Sequence, residues 1–272
     1  MNGFERYMNM LKGKTVDFLP RVPILMQFAA EYIGSNYGDF ASDYRVLVEA
    51  NMRCAEDFGM DQVSAISDPY RETQGFGAEL EYRKDGVPKC LHTPLETTKD
   101  LSTLSRPNPL EAERMRDRID AVQAYRHCAG GRYSILGWIE GPAAEAADLR
   151  GVSTFLVDLM EDSAFCEELM DRCVDVAIDF AKAQIDHGAD TIGIGDAIAS
   201  QMSPRMYAKM VQPCEKRLVE AIQGMGAFVR LHICGNITTC CRESPKLASI
   251  SWMSITWSIW RRYGKSSAQT LF

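Results

Sequence analysis

The chain contains no unbroken apolar run of about eighteen residues, so no segment reads as a membrane-spanning helix. Its opening, Met1-Asn2-Gly3-Phe4-Glu5-Arg6, lacks a basic stretch followed by an apolar one, and no secretory leader is expected there. Positive charge is in short supply. Thirty Lys and Arg against 37 Asp and Glu leave a net charge of −7, with no concentrated basic face, which argues against a nucleic-acid partner. Paired cysteines are missing too: the nine present are odd in number and scattered, the pattern of reduced thiols and not of a disulfide framework. A cytoplasmic protein is expected. No low-complexity linker interrupts the chain up to about residue 238. With 272 residues and 46% hydrophobic content, it is long enough to bury one large core.

What is present is an alternation of apolar strands and amphipathic helices. Residues 21–28 read as a buried strand entered through Pro20, followed by a helix over 42–58 with Val46, Leu47, Ala50, Cys54 and Phe58 on one face. Residues 61–66 predict a second strand ending at Ser67-Asp68-Pro69. An inserted hairpin is expected over 79–91 around Lys84-Asp85-Gly86. A helix over about 109–127 leads to a third strand, 133–139, which stops at Glu140-Gly141-Pro142. A long helix over 163–187, with Ser163 as its N-cap and Gly188 as its stop, feeds a fourth strand, 190–196. Ser203 and Pro204 then cap and start a helix through Tyr207 to about Gln223.

The fifth strand carries the most specific chemistry. Phe228-Val229-Arg230-Leu231-His232-Ile233-Cys234-Gly235-Asn236 delivers an imidazole and a thiol two residues apart, and side chains at i and i+2 of a strand share a face. Imidazole with thiolate suits zinc, and a catalytic zinc needs only three protein ligands. The plain alternative is a buried cysteine beside a satisfied core histidine.

Buried apolar strands alternating with helices imply a parallel sheet. Each strand ends on a polar residue: Gln27, Asp68, Glu140, Asp196, then His232 and Cys234. In a TIM (β/α)8 barrel such positions converge on the carboxyl-terminal mouth, and this α/β architecture is the expectation, with a flavodoxin-like sheet as the alternative. Glu140 could act as a ligand, a support to the metal or a proton acceptor; Asp196 and Asp68 join it as pocket carboxylates. Tyr207, Gln27 and Asn236 are candidate substrate contacts, each with a plain packing or turn role as the alternative.

Four segments in order carry a family likeness: residues 17–23 (Asp-Phe-Leu-Pro-Arg-Val-Pro), Trp138-Ile139-Glu140-Gly141-Pro142, Ser203-Pro204-Arg205-Met206-Tyr207 and Leu231-His232-Ile233-Cys234-Gly235-Asn236. Together they resemble the uroporphyrinogen decarboxylase superfamily, and within it the zinc-dependent methylcobamide:coenzyme M methyltransferases and related corrinoid methyltransferases. The resemblance implies zinc held by His232, Cys234 and a more C-terminal cysteine. It also implies a methylcobamide carried by a partner corrinoid protein, and a small-molecule methyl acceptor such as coenzyme M or tetrahydrofolate. Uroporphyrinogen decarboxylase is the rival. It needs cationic groups for a polyanionic substrate, whereas Met26-Gln27-Phe28-Ala29-Ala30 supplies no arginine; Asp68 does align with the decarboxylase pocket aspartate. A non-catalytic homologue that only docks a corrinoid protein is the third reading.

After residue 238 the alternation collapses, and Trp252, Trp257 and Trp260 crowd into a Ser-rich stretch. Residues 1–238 therefore read as a partial barrel, since five strands cannot close an eight-stranded one. Residues 239–272 read as an aberrant tail following a frame shift near Thr238, with a genuine β-hairpin tail as the alternative.

Overall fold

A computed structural model describes residues 1–235. Asn236 and the expected tail, 239–272, lie outside the described residues. The first helix, α1 (Gly3–Leu11), opens with a reciprocal cap between Asn2 and Glu5. It is followed by α2 (Gln27–Tyr32), α3 (Tyr37–Ser42) and α4 (Tyr44–Phe58). The first strand, β1 (Gln62–Ser64), leads to a short α5 (Arg71–Gly75) and the hairpin of β2 (Glu79–Arg83) and β3 (Gly86–His92), as expected. Then come α6 (Glu113–Ala129), β4 (Ser134–Glu140), α7 (Pro142–Arg150), α8 (Val152–Glu161), α9 (Ser163–Asp186) and β5 (Thr191–Gly195). A helical run follows, made of α10 (Pro204–Met206), a π turn over Tyr207–Val211 and α11 (Gln212–Gly224). It delivers β6 (Phe228–His232).

The strands β1, β4, β5 and β6 pair in that order, all parallel, so each new strand adds beside its predecessor. Alternation along them sorts the side chains into two layers. Ile135, Ile139, Ile192, Ile194, Val229 and Leu231 join the main core with helix residues such as Val122, Phe180 and Ile222. Each of these contributes about 1.5–3 kcal/mol through burial. The opposite layer holds Trp138 and Glu140 of β4, Gly193 and Gly195 of β5, and Arg230 and His232 of β6. Among the described residues no helix is long and apolar enough to cross a membrane.

Three local expectations are corrected. Residues 21–26 are not a strand, and 27–28 already belong to α2. Pro20 and Pro23 lack N–H donors, and the segment meets the sheet where the Asp61 N–H donates to the Arg21 carbonyl at 2.9 Å. The helix expected over 42–58 forms as α4, capped by Asp43, whose carboxylate accepts from the Arg45 N–H; Ser42 ends α3. Phe58, expected on the buried face of that helix, is 44% exposed and packs with Phe28 and Tyr32 at the surface. Finally, Asp162, not Ser163, caps α9, accepting from the Phe165 N–H. Ser203 does cap α10, its hydroxyl accepting from the Met206 N–H at 3.2 Å.

Candidate active site

The carboxyl end of the sheet is built in rows. Register places Trp138, Gly193 and Arg230 side by side, and one step further Glu140, Gly195 and His232. The second row thus sets a carboxyl group and an imidazole on either side of a residue without a side chain. His232 Nε2 lies 2.9 Å from Cys234 Sγ, the proximity that the two-residue spacing predicts. Burial, reinforced by the Arg230 charge, lowers the His232 pKa and favours the neutral imidazole that metal ligation requires. Partial desolvation of the sulfur raises the Cys234 thiol although the residue as a whole is exposed, and the Glu140 charge adds to it. The two donors fit a soft cation. Among the described residues, no third His, Cys, Asp or Glu joins them in a group able to hold a metal.

Glu140 is fixed by neighbours that local sequence patterns did not single out. Arg71 Nη2 donates to its Oε1 at 2.5 Å and Trp138 Nε1 to the same oxygen at 3.2 Å. The adjacent Glu72 accepts the Glu140 backbone N–H at 2.9 Å. One turn of α5 therefore clamps both the side chain and the main chain at the end of β4. Its sequence signal was modest: a charged pair, Arg71-Glu72, directly after the Asp68-Pro69 strand end. Glu145 and Asp148 of α7 complete the cluster through electrostatic coupling to Glu72. Burial raises Glu72, Glu140 and Glu145 above the usual carboxylate range, opposed at Glu72 and Glu140 by the Arg71 charge. Asp148 is pushed up to about 8, again by burial first and Glu72 second. Four carboxyl groups around one guanidinium cannot all be ionised, so the site carries protons at neutral pH.

The remaining candidates are placed differently. Asp68 is buried in an ion pair with Arg114 and accepts from the Ser67 hydroxyl and the Tyr70 N–H. Asp196 turns away from this row to the first turn of α7, where its carboxylate accepts from Ala143 N–H at 3.3 Å and Ala144 N–H at 2.8 Å. It is also hydrogen-bonded to Glu215, whose Oε2 accepts from the Tyr207 hydroxyl at 2.5 Å. Tyr207 is thus part of a buried network that the sequence did not reveal, because Glu215 lies eight residues further along the helical run. Gln27 sits exposed on α2, donating to Glu31. A surface groove of about 450 Å³ bordered by Arg106, Asn108, Lys182 and His187 shares no residue with the site.

The Asp196–Glu215 pair has a pH signature. Burial pushes Asp196 up to about 7, its two backbone hydrogen bonds opposing the shift; Glu215 is raised by burial and by the Asp196 charge. A raised acid holds its proton in the fold after the unfolded chain has released it. Stability from this pair is therefore greatest below the ordinary carboxylate range and falls as pH climbs from about 4 towards 7 and above. Glu215→Gln should gain on the wild type by on the order of 1–3 kcal/mol between pH 5 and pH 8 in urea denaturation. Parallel pH profiles for the two proteins would show that the carboxyls do not share a proton.

Comparison with known proteins bears on the fold and the family. A family model described as uroporphyrinogen decarboxylase matches residues 2–269. Methylcobamide:CoM methyltransferase MtaA of Methanosarcina barkeri is 26% identical over 241 residues, 85% of this chain and 69% of that protein. Methylcobamide:CoM methyltransferase MtbA of Methanosarcina mazei is 27% identical, covering 86% of this chain and 70% of that one. A uroporphyrinogen decarboxylase of a Nostoc species is 25% identical over 79% of this chain and 65% of its own length. Among solved structures, a methyltransferase from Methanosarcina mazei superposes with a TM-score of 0.80 at 22% identity, covering 92% of this chain and 73% of that one. That likeness is one of fold: the parallel sheet is TIM-barrel-like.

Proposed function

Because the chain belongs to the uroporphyrinogen decarboxylase family of enzymes, we propose that it moves a methyl group from a methylated corrinoid, presented by a partner protein, to a small thiol. Sequence similarity alone leaves the choice open, since methyltransferases and decarboxylases are similar to the chain at nearly equal identity. One observation carries the reading: His232 Nε2 and Cys234 Sγ stand 2.9 Å apart at the end of a parallel strand. A decarboxylase has no use for a soft-metal pair there.

His232 and Cys234 would hold zinc, which when bound ionises a coordinated thiol outright and keeps it nucleophilic. The chain's own residues supply the setting. His232 is held neutral by burial and by Arg230, ready to donate its nitrogen lone pair. Gly195 adds no side chain of its own between Glu140 and His232, so the Trp138 indole can lie against the strand there. The partly protonated Glu140 cluster limits the negative charge that would otherwise repel an anionic thiolate. Methyl transfer is then a displacement: the thiolate sulfur forms a bond to the methyl carbon as the carbon–cobalt bond breaks, the electron pair staying with cobalt. Geometry on the corrinoid side belongs to the partner.

The decarboxylase reading fares poorly on electrostatics. At the strand ends Arg71 and Arg114 are buried and committed to Glu140 and Asp68, and a substrate bearing eight carboxylates needs accessible cations. The test is to supply the purified protein with methylcobalamin and a thiol, with and without zinc, and separately with uroporphyrinogen. Zinc-dependent thioether formation, stopped by a chelator, is the expected result. Carboxylate loss from the porphyrinogen that is indifferent to chelator would overturn it. Stable capture of a corrinoid protein with no turnover of either kind would assign a binding role instead.

A further inference from the structure

A ligating imidazole is ordinarily aimed by a hydrogen bond from its second nitrogen. His232 departs from this: its Nδ1 is buried and has no hydrogen-bond partner among the described residues. Among the described residues, packing is what holds the ring. The Trp138 indole packs edge-on against it, with centroids 5.8 Å apart and planes at 61°, a favourable aromatic geometry. The same indole donates to Glu140 Oε1 through Nε1 at 3.2 Å, so it touches both sides of the Glu140–Gly195–His232 row.

The seat for this indole is made by two glycines. A Cβ on Gly193 would fall 2.3 Å from Trp138 Cε3 and 2.5 Å from Cζ3, closer than any side chain permits. A Cβ on Gly195 would meet Cζ2 and Nε1 at 3.2 Å and Glu140 Oε2 at 3.0 Å. The ring therefore lies directly on the β5 backbone: a side chain at Gly193 would exclude it and one at Gly195 would crowd it. The main chain beneath is also clamped: Gln184 of α9 accepts the Trp138 N–H at 2.8 Å and donates to its carbonyl at 3.0 Å. Gly137 makes room for that amide, since a Cβ there would lie 2.7 Å from Gln184 Oε1. Trp138 is 3% exposed.

We infer that Trp138, seated on Gly193 and Gly195, is a positioning residue that fixes the His232 imidazole by packing where a hydrogen bond would usually do so, and ties it to Glu140. The inference rests on the zinc reading for its purpose but not for its geometry, and the two are separable by experiment. Trp138→Phe keeps an aromatic edge against His232 and loses the Nε1 donor. Trp138→Leu removes the ring, and Gly193→Ala evicts it while leaving the tryptophan in the chain.

Zinc affinity is measured by chelator competition, and the His232 ring is observed by NMR in the metal-free, full-length protein, with thermal melting to establish folding. Trp138→Leu and Gly193→Ala should each weaken zinc binding by about 10- to 100-fold. In both, the His232 ring signal should broaden or double as the ring samples rotamers. Trp138→Phe should stay within about threefold of the wild type and keep one sharp signal, because the orienting contact survives. A folded Trp138→Leu protein with unchanged zinc affinity and one sharp His232 signal would overturn the inference. If Gly193→Ala fails to fold, the phenylalanine–leucine comparison decides. If the wild type takes up no zinc while the leucine variant still frees the ring, the metal reading falls and the positioning role stands.

Discussion

Arg71→Met should destabilise the protein by about 3–5 kcal/mol, the range for removing one partner of a buried ion pair. Arg71 is fully buried, with Glu140 hydrogen-bonded to its Nη2 and Glu72 3.6 Å from its Nε. Methionine fills similar volume but leaves both carboxyl groups without their cation. The loss should be largest at pH 8 and shrink towards pH 5, because protonating Glu72 and Glu140 removes the uncompensated charge. Urea denaturation at both pH values measures it. A matched control is Arg106→Met, whose partners Asp175 and Asp179 are at the surface; exposed pairs of that kind are worth about 0–1 kcal/mol. Equal costs for the two substitutions, or an Arg71→Met cost that does not vary with pH, would show that the cluster is not held by this guanidinium.

The second large effect concerns chemistry, not stability. His232→Ala with Cys234→Ala should abolish stoichiometric zinc and lower turnover by about 30-fold or more. That floor is set by a free thiol of pKa about 8.5 being only a few per cent thiolate at neutral pH. The melting temperature should move little, since His232 is only half-buried and Cys234 is exposed. Elemental analysis with a thiol methylation assay reads both. A double variant that retains one zinc per chain, or wild-type turnover, would remove the ligand pair from the mechanism.

These two expectations differ in how visible their residues are in the sequence. The His-x-Cys pair was expected from strand period, and the two side chains do lie side by side, although β6 ends at His232 and Cys234 follows it in the turn beyond. The strands over 61–66, 133–139, 190–196 and 228–232 were legible for the same reason, as apolar runs bounded by turns and long helices. Residues 21–28 resemble those runs in composition but follow Pro20 and contain Pro23, neither of which can donate to a ladder. Arg71 gave little warning, because what makes it important is Glu140, 69 residues away in sequence.

Apolar period, turn residues and the spacing of two soft donors are local quantities, and the sequence alone therefore determined the parallel α/β plan and the closeness of an imidazole and a thiol. Which carboxyl groups face that pair was decided only on folding. Glu140 and Asp196 look alike in the chain, each closing a buried strand beside a glycine. In space, Glu140 stands beside Gly195 in the row that ends at His232, while Asp196 caps α7 and is hydrogen-bonded to Glu215. The difference is one of burial and of partners brought together from distant segments, and no local pattern encodes either.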